Sequence, residues 1–95
     1  MDHEITPAIS HDAMQTIERF VEEFSFEKKA LLLGEISHYI ETNGMGASWA
    51  MQSTIALLYA RLQDTIDPHE NKQAFNRCSM FISEYLEKGG YDPYK

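Results

Sequence analysis

Apolar residues recur along this chain at intervals of three and four, in four runs separated by turn-forming residues. That interval puts them on one side of a helix, whose period is about 3.6 residues. In the first run Ala13, Met14, Ile17, Phe20, Val21 and Phe24 share a face, and Gln15, Glu18, Arg19, Glu22 and Glu23 lie off it. Ser10 suits the N-cap and Asp12 the first turn, where a negative charge meets the positive end of the helix dipole. A first helix is predicted over 10–24.

Neither Gly nor Pro marks its end, so phase has to locate the break. Continuing the first stripe would turn Lys28 and Glu35 into the core. Leu32, Leu33, Ile36, Tyr39 and Ile40 instead define a face rotated by roughly 100°. A break near 24–26 resolves the conflict, with Ser25 capping the new helix and Glu27 in its first turn. This second helix is predicted over 26–42. It stops at Asn43-Gly44, since both residues tolerate the left-handed conformation of a helix C-terminus.

After the short loop Met45-Gly46-Ala47, the third helix is predicted over 48–65, and it is the most apolar of the four. Met51, Ile55, Leu58, Tyr59, Leu62 and Ile66 make a strong stripe. Behind it runs a weaker one of Ala50, Ser53, Leu57 and Ala60. A helix apolar on two faces is sandwiched between neighbours. Asp67-Pro68-His69-Glu70 then reads as a helix start: a cap, a proline at the first position and a carboxylate at the third. The fourth helix, over 68–88, carries Ala74, Phe75, Cys78, Phe81, Ile82, Tyr85 and Leu86 on one face. Gly89-Gly90 stops it and leaves a tail over 89–95.

No run alternates apolar and polar residues between turns, so no strand is predicted. Four helices with short connections give an all-α fold, a four-helix antiparallel bundle of two helical hairpins. One domain spans 1–95, beginning with an irregular lead over 1–9. The openings of the first and third helices look alike, as do the ends of the second and fourth. Duplication of a hairpin would explain this, but the offsets, 37 and 46 residues, disagree. Two similar amphipathic helices with similar stops produce the same look.

Charge narrows the function classes. The formal charge is −7, with nine acidic and three basic residues over 1–47 and six and five over 48–95. Such a chain lacks the basic footprint that phosphate binding requires, so direct contact with nucleic acid is not expected. Its single cysteine, Cys78, permits no internal disulfide and no cysteine-based metal site. The acidic start has no apolar stretch after it, and every apolar run is too short to span a membrane. A cytoplasmic protein, without cofactor and without a membrane partner, is the expectation.

Candidate chemistry is sparse. Glu35-x-x-His38 has the spacing of carboxylate-bridged metal bundles, but it lacks a second copy, and His38 falls opposite Ile36 on the wheel. His69 and the serines are accounted for as cap-region and surface residues, and Cys78 as a small core residue. The interaction reading has more behind it. Leu31 and Gly34 lie off the core stripe of the second helix, as do Ala50, Ser53, Leu57 and Ala60 on the third, and Trp49 flanks its main stripe. Together they suggest a surface for a partner or a second copy. Glu18, Glu22, Glu23, Glu27 and Glu41 form a candidate acidic face for a basic partner. The expectation is a non-enzymatic interaction protein: a small acidic adaptor, chaperone or immunity-type inhibitor that forms a homodimer. The alternative is a helical enzyme or a ligand- or metal-binding bundle using Glu35 and His38.

Overall fold

A computed structural model of the chain describes residues 10–94, the side chain of Met45 excepted. The described residues form α1 (His11–Glu22), α2 (Phe26–Asn43), α3 (Trp49–Leu62) and α4 (Lys72–Glu87), with a 3-10 turn at Gly44–Gly46. The fold is the all-α four-helix bundle that the periodicity predicts. The expected lead over 1–9 and the final Lys95 lie outside the described residues.

Local chemistry fixes most of the boundaries. The hydroxyls of Ser10, Ser25 and Ser48 accept from the amides of Ala13, Lys28 and Met51 at 3.1, 3.2 and 3.1 Å. Each satisfies a first-turn donor that the helix itself leaves free. The break between α1 and α2 is therefore a cap that restarts the helix in a new phase. Gly44 and Gly89 take φ of +53° and +91°, a region closed to most side chains, and end α2 and α4.

The start of α4 departs from expectation. Asp67 accepts from the amide of His69 at 2.9 Å, and the Asn71 side chain donates back to the Asp67 carbonyl. A short acidic side chain that bonds two residues ahead stabilises a turn in competition with a helix. Residues 68–71 accordingly form turns, and α4 begins at Lys72 with no capping side chain on Asn71. α3 ends early as well, at Leu62, where both the amide and the hydroxyl of Thr65 turn back onto its carbonyl.

α2 packs mainly along α4, and α1 along α3. Arg77 of α4 reaches Ser37 and Glu41 of α2, while one turn on Phe81 and Glu84 stand beside Ile40 and Gly44. The two helices therefore run in the same direction. α3 runs against α4, since Tyr59 pairs with Ser79 and Ser53 with Tyr85. The hairpin expectation needs refining at α1, which lies on α3 and does not form a tight hairpin with α2. The two halves of the chain are thus not packed alike, and the fold lends no support to a duplication.

Leu33, Ile36, Ile55, Leu62, Cys78, Phe81 and Tyr85 form the heart of the core. α1 places one residue, Val21, fully inside it. Both stripes of α3 are buried over most of their length, as expected for a helix apolar on two faces. Ile55, Tyr59, Leu62 and Ile66 of the strong stripe lie in the core, and Ser53, Leu57 and Ala60 of the weak one are covered as well. The exceptions lie at the N-terminal end of the helix, where Ala50 is exposed and Met51 is 40% exposed. After Gly89 the chain returns along α3: the Tyr91 amide donates to the Tyr85 hydroxyl at 3.1 Å, and Arg61 donates to the carbonyl of the buried Pro93 at 3.4 Å. Arg61 also holds Glu18 of α1 at 2.8 Å. Tail and first helix thus meet α3 at the same residue, Arg61.

Candidate interaction surface

The junction of α1 and α2 brings several aromatic rings to the surface. Phe20 and Phe24 meet edge to face with centroids 5.0 Å apart. Lys28 Nζ lies 5.7 Å from the Phe24 ring, and Lys29 Nζ 5.7 Å from that of Phe26. Such contacts suit a cation resting against a ring face. Phe20, Phe26 and Leu31 are 61%, 73% and 71% exposed. Their exposure follows from local structure. The Ser25 cap makes Phe26 the first residue of α2, at the very end of the helix, and Phe20 lies at the margin of a stripe whose core contribution is Val21.

The charged residues divide. Glu18 is engaged by Arg61, and Glu41 by Arg77 at 3.5 Å, with His38 3.9 Å away. Glu22, Glu23 and Glu27 are exposed and form no ion pair among the described residues. The five acidic candidates therefore do not make one uniform face: two serve the fold, and three stand at the junction beside Arg19, Lys28 and Lys29.

Glu35 and His38 do come together, on the rim of a groove between α2 and α3. The groove, about 410 Å³ in volume, is lined by Ile36, Tyr39, Met51, Ile55 and Leu58. His38 is open to water, its side chain 76% exposed. Among the described residues no three His, Cys, Asp or Glu side chains are placed to share a metal ion. A second groove, of about 680 Å³ between α2 and α4, is lined by Ile40, Met80, Phe81 and the already bonded Arg77.

The remaining candidates scatter. Gly34 is exposed and lines a polar recess beside the start of α4. Ala50 is exposed on α3. Trp49 stands half-open at the head of α3, its ring 5.0 Å from that of Tyr85. Ser53, Leu57 and Ala60 are not at the surface at all, so a partner on the weak stripe is replaced by contacts within the chain. The periodicity missed Phe20, Phe26 and Met80 as exposed apolar residues. Phe26 was the one with a visible signal: a bulky apolar residue directly after a capping serine sits where the helix has only begun.

Comparison with known proteins finds no matching family model, no similar curated protein and no similar solved structure. The functional reading therefore rests on this surface. Among the described residues no helix is long and apolar enough to cross a membrane.

Proposed function

We propose that this chain is a non-enzymatic protein-interaction domain, a small acidic adaptor, chaperone or inhibitor that associates with itself. One observation carries the reading: Phe20, Phe26 and Leu31 stand largely in water on α1 and α2. Large apolar side chains left exposed on a small fold mark surfaces that another protein covers. A basic partner is the sharper variant, supported by Glu22, Glu23 and Glu27, which have no ion-pair partner among the described residues. Sedimentation of the full chain at micromolar concentration tests self-association, and a dimer is expected. A monomer throughout would remove that part of the reading. A pull-down from lysate repeated across salt concentrations tests the basic partner, whose capture should weaken as salt screens the rim charges.

A second reading has its own observation in the α2–α3 groove, where a carboxylate and an imidazole flank an apolar floor. There the chain would bind a small apolar ligand, with Glu35 and His38 orienting its polar end. Calorimetry with a ligand panel tests it, and any binding that survives both Glu35→Gln and His38→Ala would discard those roles.

A further inference from the structure

The junction of α1 and α2 combines both signs of charge with exposed phenylalanine rings. Between residues 19 and 29 the cations Arg19, Lys28 and Lys29 balance the carboxylates Glu22, Glu23 and Glu27, within a chain of formal charge −7. The same short stretch carries the exposed rings of Phe20 and Phe26, and two of its lysines lie against phenylalanine rings.

We propose that a second copy of this chain docks on this junction about a twofold axis. Phe20 and Phe26 pack across it, and Glu22 and Glu23 of each copy face Lys28 and Lys29 of the other. The proposal rests on the self-association reading and assigns it a surface. Two copies that each carry −7 repel one another, so close approach costs least where the local charge is zero. A twofold interface uses the same patch on both copies, so a patch bearing both signs can complement itself. The basic partner of the sharper variant would meet Glu22, Glu23 and Glu27 only with Arg19, Lys28 and Lys29 beside them, so at this surface the paired signs favour a second copy over it. Neither groove offers this balance. The α2–α3 rim would set Glu35 against Glu35 with no cation beyond His38, and Arg77 in the α2–α4 groove is already bonded to Ser37 and Glu41.

The test is sedimentation of the full chain and four variants, each first checked for helical content. Phe26→Glu should weaken the dimer by roughly tenfold or more, as loss of a central apolar anchor does. Met51→Glu, in the α2–α3 groove, should leave it unchanged. Lys28→Glu/Lys29→Glu alone and Glu22→Lys/Glu23→Lys alone should be monomers, since each sets like charges across the axis. An equimolar mixture of the two should recover a dimer. A wild-type dimer indifferent to the junction changes, or dissociated by Met51→Glu, overturns the junction while leaving self-association standing. A wild-type monomer overturns both.

Discussion

Cys78 lies 1% exposed in the core, and burial pushes its thiol pKa from an ordinary 9.0 up to about 11, with nearby Arg77 opposing weakly. Water-poor surroundings disfavour the thiolate, so the folded chain keeps its proton where the unfolded chain has lost it. Between those two pKa values the unfolded state binds fewer protons, and stability falls as pH rises. At about 1.4 kcal/mol per pH unit, the loss attributable to this thiol is about 2 kcal/mol by pH 11. Denaturant unfolding of wild type and Cys78→Ala from pH 8 to 11 should show it. The variant starts less stable because it leaves a cavity, and the gap should close as pH rises. A constant gap would mean that the thiolate is tolerated inside. That Cys78 is a core residue was legible from its place in a seven-residue apolar stripe. That Leu57 is covered within the chain while Met51 stands open was not, because it depends on which elements pack on α3, and spacing within α3 does not encode that.

Caps were the most legible elements, for a physical reason. A serine hydroxyl and the amide three residues later form one local bond, so Ser10, Ser25 and Ser48 each announce a helix in the sequence itself. Asp67 announced one too, but its carboxylate closed a turn with His69 and α4 began at Lys72. The same side chain can cap a helix or make a turn, and the approach of the preceding loop decides between them. The two positions should respond differently. Ser25→Ala should cost about 1 kcal/mol, typical of a lost N-cap. Asp67→Ala should cost less, about 0.5 kcal/mol, because an exposed turn bond is exchanged for water. Thermal melts of both variants give the comparison. An equal or larger loss at Asp67 would mean that the turn is needed to launch α4.

Across the whole molecule the four helices are not held equally. α2, α3 and α4 share the core, whereas α1 gives it Val21 in full and Ile17 in part, and its pairing with α3 includes a half-exposed ion pair. Such a pair contributes at most about 1 kcal/mol. Local opening begins where few apolar contacts are buried, so α1 should open first. In hydrogen exchange its amides should lose protection well before those at the centres of α2 and α4. If the junction holds a second copy, raising protein concentration should slow exchange in α1 more than in α4. Uniform protection of all four helices would place α1 on an equal footing. The periodicity showed that α1 is amphipathic, but the depth of its burial depends on α3, and no spacing within α1 encodes that.

The pairing of Trp49 with Tyr85 makes the molecule report on itself. Trp49 is the sole tryptophan of the chain, and its ring lies 5.0 Å from that of Tyr85, whose hydroxyl accepts from Tyr91 in the tail and shares a hydrogen bond with Ser53. Gly90 passes so close to the Tyr85 ring that even a methyl group there would collide with it. Release of the tail would uncover one side of the ring and leave its hydroxyl bonded to Ser53 alone, and the indole beside them would sense a changed neighbour. Emission intensity and near-ultraviolet ellipticity, read without any added label, therefore follow the closure of the C-terminal segment separately from the helical content of the bundle.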